Sequence, residues 1–224
     1  MAVVTPDLAD IFEEAYERIG MEMRSGYDLK TARRSLNLLT LEWQNRGLNL
    51  FTIESGTLAI TAGTATYTLP SETIDIIEHQ VRTGTGTNQT DTNLERVSVS
   101  TYAQQSNKNT QGRPTQIYVQ RLATETKITL WPVPDSTETY TLAYFRLKGI
   151  DGLSAGISGS AAIPPRFVPA LVAGMAYYLA TKKNPAAAGG LKQEYEFQFE
   201  LAAGEDTETA SIKFVPYDTF MLGG

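Results

Sequence analysis

The chain has no cysteine and only one histidine, His79. The first absence removes disulfides, thiolate metal sites and thiol catalysis together, so stability has to come from packing or assembly. The second leaves imidazole chemistry a single candidate. His79 has Asp75 and Glu78 near it in sequence but no His-Glu-x-x-His partner and no second ligand at metal spacing. We therefore expect a structural or surface histidine and no metal. No window approaches the roughly eighteen consecutive apolar residues of a membrane span, and Met1 to Asp7 lacks the basic start and long apolar run of a secretory leader. The expectation is a protein made in a cytoplasm and without a membrane partner. Thr83-Gly84-Thr85-Gly86-Thr87 lacks the third glycine and the Gly-Lys-Ser/Thr ending of a phosphate loop, and reads as a polar loop too poor in hydrophobes to pack. Carboxylate pairs at helical spacing, Glu13 with Glu17 and Glu196 with Glu200, read as exposed acidic faces rather than acid-base machinery. No enzyme and no cofactor are expected.

What remains is an ordinary globular composition. Of 224 residues, 42% are hydrophobic and 20% charged, which excludes a wholly disordered chain. The formal net charge of −6 is uneven. From Asn184 onward only Lys192 and Lys213 oppose seven acids, Glu194, Glu196, Glu200, Glu205, Asp206, Glu208 and Asp218. Arg18, Arg24, Lys30, Arg33 and Arg34 gather basic charge near the start, interleaved with acids. Sequence-independent nucleic-acid affinity comes from cations displacing counterions, so a net-acidic chain is a poor DNA gripper; that cluster reads as a solvated or inter-subunit salt-bridged face.

Periodicity divides the chain. Thr5-Pro6-Asp7 reads as an N-cap, an N1 proline and an acidic second position, with Leu8, Ile11, Phe12, Ala15 and Ile19 at helical spacing up to Gly20. Asp28 to Arg46 is a second helix, stopped by Gly47, whose Leu29, Ala32, Leu36, Leu39 and Trp43 share a core face. Leu38 and Leu41 form a second apolar row that one small domain cannot easily bury as well. From Leu48 to about Lys148 the period changes to two. We expect strands over Thr57–Leu69, with a hairpin turn at Ala62-Gly63, over Ile74–Arg82, and a hairpin of Gln116–Leu122 with Lys127–Val133 continued by Thr139–Leu147. Ile150 to Ala162, rich in Gly, Ser and Ala, reads as a linker. Helix returns at Pro164-Pro165 with a stripe of Val168, Leu171, Val172, Met175 and Leu179, while Ala173, Gly174, Ala176 and Ala180 smooth its other faces for close approach of a neighbour. A last helix puts Leu191, Tyr195, Gln198 and Ala202 on one face. An acidic spacer then leads to an apolar tail of Ile212, Phe214, Val215, Tyr217, Phe220, Met221 and Leu222. The fold class expected is α+β: a four-helix bundle from 1–47 and 163–204, an antiparallel β-sandwich or barrel-like domain, 48–149, inserted between helices two and three, a linker at 150–162 and a docking tail at 205–224.

Several words in the chain are distinctive. Lys30-Thr31-Ala32-Arg33-Arg34-Ser35 and Leu41-Glu42-Trp43-Gln44-Asn45-Arg46-Gly47-Leu48-Asn49-Leu50-Phe51 are followed by Gln111-Gly112-Arg113-Pro114-Thr115, Leu130-Trp131-Pro132-Val133-Pro134-Asp135 and Ile163-Pro164-Pro165-Arg166-Phe167. In this order they resemble the head-to-tail adaptor proteins of short-tailed bacteriophages, the tail tubular protein A or tail accessory factor type. The likeness runs from Tyr27 to about Leu201 and touches no catalytic residue. It implies a virion structural protein at the head-tail junction: about twelve copies in a ring, a portal protein on one side, a tail nozzle protein on the other, and DNA passing through without specific binding. On that footing Leu38, Leu41, Ala173, Ala176 and Ala180 are the expected subunit interface, and the residues from Ile212 to Leu222 the portal-binding tail. The competing expectation is a ligand-binding module, in which the Thr-, Tyr- and Asn-rich β block meets carbohydrate or another ligand and the helices form an oligomerisation stalk.

Overall fold

The computed structural model describes residues 7–47, 50–150 and 163–206. The fold is mixed α+β, with five α-helices and three sheets among those residues. Helix α1, Leu8–Arg18, is capped by Asp7, whose carboxylate accepts from the Asp10 N–H at 2.8 Å. The expected cap, Thr5, lies outside the described residues. A carboxylate at this position satisfies an orphan donor and also meets the positive end of the helix dipole, which a threonine does not. Helix α2, Gly26–Arg46, begins two residues earlier than expected, with Ser25 as its cap. Asp28 lies instead in the first turn, held by Ser25 Oγ and by the Lys183 ammonium at 3.0 Å, and these contacts keep its carboxyl below the usual range.

Helices α4, Val168–Lys183, and α5, Ala188–Glu205, complete the helical part, and α1, α2 and α5 each pack on α4. That arrangement follows from α4 being apolar on every side, since a helix without a polar face has to be surrounded. Ala170, Leu171, Ala173, Met175, Ala176, Leu179 and Ala180 are all fully enclosed. The expected stripes of α1 and α2 supply the opposing walls, with Leu8, Phe12, Ala15, Ala32, Leu36, Leu39 and Trp43 at 0% exposure. On α5 the buried face is Tyr195, Phe199 and Ala202, with Gln198 only half-buried, so the expected stripe is shifted at its middle by one position. The aromatic ring of Phe199 lies 5.5 Å from Trp43 and 6.2 Å from Phe167, a cluster that Gln198 could not join.

The middle of the chain builds two four-stranded sheets. Strands β1, Ile53–Ala59, β3, Thr73–Thr83, β4, Thr90–Asn93, and β10, Thr141–Lys148, are arranged in the order β1-β10-β3-β4. Strands β2, Thr66–Thr68, β5, Glu95–Val97, β7, Gln116–Arg121, and β8, Thr126–Trp131, run β2-β8-β7-β5. Short parallel strands β6, Gln111–Gly112, and β9, Val133–Pro134, form a third sheet, and a five-residue helix α3, Val99–Ala103, follows β5. The two large sheets share one core of Ile60, Leu69, Ile76, Val81, Leu94, Ile117, Ile128, Leu130, Tyr140, Leu142 and Tyr144.

The β7–β8 hairpin is as expected, with Gln116 opposite Trp131 and Arg121 opposite Thr126. Two other expectations fail. The Ala62-Gly63 turn forms, with Gly63 at φ +78° and Thr64 N–H donating to Thr61 O, but it joins no hairpin: β1 pairs with β10 and β2 with β8. It is a corner between sheets, fastened by Tyr67 Oη donating to Thr64 O at 2.8 Å. Strand β10 does not extend the β7–β8 hairpin but lies between β1 and β3, where its alternation buries Tyr140, Leu142 and Tyr144. The polar segment after Thr83 is an exposed loop, as expected, with one 3-10 turn at Gly86–Asn88, and it connects β3 to β4. Arg82 faces Asp91 across β3 and β4 through two contacts of 2.8 and 2.9 Å, so backbone pairing and a bidentate ion pair replace hydrophobic packing. Its turn needs Gly84, at φ +74°, because a Cβ there would collide with Asn88 O.

Candidate functional site

The residues singled out in the sequence divide by burial. Leu38 and Leu41 of α2 are 50% and 53% exposed on the face turned away from α4. Tyr27 at 65% and, on α5, Phe197 at 58% and Leu201 at 54% add further large apolar side chains to the surface. Ala173, Ala176 and Ala180 are at 0%. Their expected role as subunit interface is thereby corrected: they are enclosed within the chain, where α1, α2 and α5 all pack on α4. Gly174 marks how close they come, since a Cβ on it would lie 2.9 Å from both Leu39 methyls and 2.9 Å from Tyr195 Cε2. The apolar residues Ile212, Phe214, Val215, Tyr217, Phe220, Met221 and Leu222 lie outside the described residues, as does the linker from 151 to 162.

A polar network joins α2, α4 and α5 beside this core, and sequence reasoning missed it. Trp43 Nε1 donates to Tyr195 Oη at 2.9 Å, and Tyr195 Oη donates to Glu42 Oε1 at 3.3 Å. Tyr178 Oη donates to Glu42 Oε2 at 2.7 Å. Arg46 binds Glu42 through Nε at 2.8 Å and Glu196 through both terminal nitrogens, at 2.5 and 2.8 Å, while its guanidinium covers the rings of Tyr195 and Phe199 at 4.8 and 4.6 Å. The Glu196 contact raises the Arg46 pKa further, burial opposing, and the same ion pair lowers that of Glu196. Burial first, then the Glu42 charge, pushes the phenols of Tyr178 and Tyr195 well above their ordinary value. This arrangement ties α2, α4 and α5 together. The signal in the sequence was the Glu42–Arg46 step of four on α2.

His79 is on β3, opposite Tyr144 of β10, with neither ring nitrogen hydrogen-bonded. Burial lowers its pKa, and the Arg96 charge lowers it further, against smaller opposing effects of Glu78 and Asp75. Among the described residues no group of three or more His, Asp or Glu side chains is placed to hold a metal, and no helix is long and apolar enough to cross a membrane. On the same sheet an open cleft of about 430 Å³ is lined by Thr57, Glu78, Gln80, Arg82 and Phe145 among others. Trp131 is half-buried, its indole N–H donating to Asn107 O at 3.1 Å.

A mixed α+β chain whose most distinctive free surface is an apolar helix face, rather than a reactive cluster, has the character of an assembly component. The chain belongs to the SU10 adaptor protein family, whose model matches residues 6–213, and its role is that of a structural head-tail adaptor of a virion. Among solved structures, the chain is similar to one titled "Neck of empty GTA particle computed with C6 symmetry", at 14% identity over 88% of this chain and 92% of that one, with a TM-score of 0.30. No curated protein matches the chain.

Proposed function

We propose that the protein is a ring-forming adaptor that joins the portal to the tail nozzle of a short-tailed phage, about twelve copies closing around the DNA channel. The observation that carries this is the division of α2 into two apolar faces, one fully enclosed by its own chain and one, at Leu38 and Leu41, left half-exposed. The part of that face still in water stabilises nothing in a monomer, whereas a neighbouring copy that covers it gains about half of the roughly 1.5–3 kcal/mol that full burial of a large apolar side chain contributes. Family membership and the quoted sequence words support the setting. In this account the helices form a four-helix bundle near the portal, the two sheets an inserted sandwich toward the nozzle, and no step is catalytic. Acidic side chains along the channel repel DNA and let it slide.

The residues Ile212 to Leu222 reach the portal, and around a ring even weak arms hold by avidity. Native mass spectrometry and negative-stain microscopy of the chain, alone and with portal protein, test the assembly. Rings under either condition support it; monomers under both refute it. Deletion of residues 211–224 abolishes portal binding with helix content unchanged, and undiminished binding removes the tail from the account. The cleft beside Arg82 and Phe145 favours a second role in ligand binding, to be tested by titrating the protein with oligosaccharides.

A further inference from the structure

The exposed faces of α1 and α2 carry opposite charge, and among the described residues most of those charges find no counter-ion. On α2, Tyr27, Lys30, Arg34, Leu38, Leu41 and Asn45 follow one another at steps of three and four, so they form one outward row, and all are exposed. Arg33 lies beside it. The carboxylates of this helix are engaged elsewhere, Asp28 with Lys183 and Glu42 with Arg46 and Tyr178. Among the described residues no carboxylate is within ion-pair distance of Lys30, Arg33 or Arg34. A further cation adjoins them. Lys182 Nζ donates to Ser35 Oγ at 2.8 Å, and its ammonium is pushed below its usual value by burial first and by Arg34 second. A like charge beside it disfavours the Lys182 ammonium until an anion arrives.

Helix α1 offers the complement. Asp10, Glu13, Glu14 and Glu17 are exposed at positions i, i+3, i+4 and i+7. Only Glu14 is paired, with Arg18 at 2.9 Å; among the described residues Asp10, Glu13 and Glu17 meet no cation. At 1.5 Å of rise per residue the acids span roughly 10 Å and the row from Lys30 to Leu41 roughly 16 Å, so the first fits within the second.

We infer that the acidic face of α1 on one copy docks against the basic and leucine-bearing face of α2 on the next. This rests on the ring-forming reading above and specifies which surfaces meet. Two different patches make a head-to-tail contact, the kind that closes into a ring when its rotation allows. Nucleic acid is the poorer occupant of the α2 face, because a phosphate track uses cations along its length, and here two leucines complete the row on a chain of net charge −6.

Charge exchange tests it on the full chain. Lys30→Glu with Arg34→Glu, and separately Glu13→Lys with Glu17→Lys, each place like charges across the contact and should raise the concentration needed for rings at least about tenfold, with unchanged circular dichroism. The neutral Lys30→Gln/Arg34→Gln pair has the same sign and a smaller effect. Mixing the two reversed proteins in equal amounts, or combining all four changes in one chain, should restore rings, and salt should weaken wild-type assembly. Rings indifferent to both reversals, or impaired without rescue by exchange, overturn this contact and leave the ring itself standing. A Lys30→Glu/Arg34→Glu protein that keeps its rings and loses binding to duplex DNA assigns the face to nucleic acid instead. Wild-type protein that stays monomeric, with and without portal, removes the ring and this contact together.

Discussion

The Trp43 indole N–H donates to the Tyr195 hydroxyl across 2.9 Å, tying α2 to α5 over 152 positions of sequence. Both side chains are at 0% exposure, so neither polar atom has water as an alternative partner. Tyr195→Phe keeps the ring and its packing against Phe199 and deletes only the hydroxyl. The Trp43 N–H and one contact of Glu42 are then unmatched, and an unsatisfied buried group costs about 1–3 kcal/mol. For a chain of this length the melting temperature should fall by about 2–4 °C per kcal/mol. Differential scanning calorimetry decides; a variant melting with the wild type would show that the hydroxyl contributes nothing net.

Two glycines should respond in opposite directions to the same substitution. Gly190, in the first turns of α5, has nothing within 4 Å of the point where a side-chain methyl would stand, so Gly190→Ala should stabilise by about 0.5–1 kcal/mol through helix propensity. Gly174 has Leu39 and Tyr195 at 2.9 Å, and both are fully buried. The same propensity gain is there outweighed by overpacking of about 1–3 kcal/mol, and Gly174→Ala should destabilise. Urea unfolding of the two variants checks the pair; a stabilised Gly174→Ala protein would mean that α2 and α5 can move aside cheaply.

The local periodicities were legible and the long-range pairings were not. Leu36, Leu39 and Trp43 could be assigned to a core face because a helix repeats every 3.6 residues, and they are enclosed as expected. The β7–β8 hairpin was legible for the same local reason. Which sheet a strand joins depends on contacts far away in sequence, and so β2 and β10 were placed beside the wrong partners. Among the interface candidates the error had one cause. Small residues on α4 signal close approach, but the sequence does not say whether the approaching helix belongs to the same chain, and at Gly174 it does.

Stability should depend on pH through the chain's single histidine. The folded environment lowers the His79 pKa beneath its ordinary value near 6.5, so the unfolded chain takes up a proton before the folded one does. Stability is therefore full above about pH 6.5 and declines as pH falls from there through the folded value. The carboxylates with lowered values, Glu54, Asp91, Asp135 and Glu196 among them, lose their contribution further down, as pH falls from the ordinary carboxylate range through their lowered folded values. His79→Leu should remove the decline that begins below about pH 6.5 and leave the acid limb in place. Equal slopes for variant and wild type across that decline would show that His79 does not titrate differently in the fold.

The sharpest contrast is between two leucines two positions apart. Leu39 is at 0% exposure and Leu41 at 53%, on opposite sides of α2. Leu39→Glu would place an unpaired carboxylate in the helical core, a change costing several kcal/mol, and should give a largely unfolded chain. Leu41→Glu in the free chain leaves the new charge in water, where surface substitutions stay within about 0.5 kcal/mol, so circular dichroism and melting should be unchanged. If a neighbouring copy covers Leu41, the same carboxylate is stranded at every contact around the ring, and assembly should be lost. Velocity sedimentation of both variants separates the cases. Intact rings from Leu41→Glu would remove this face from the interface, and unfolding of Leu41→Glu would make the residue part of the chain's own core.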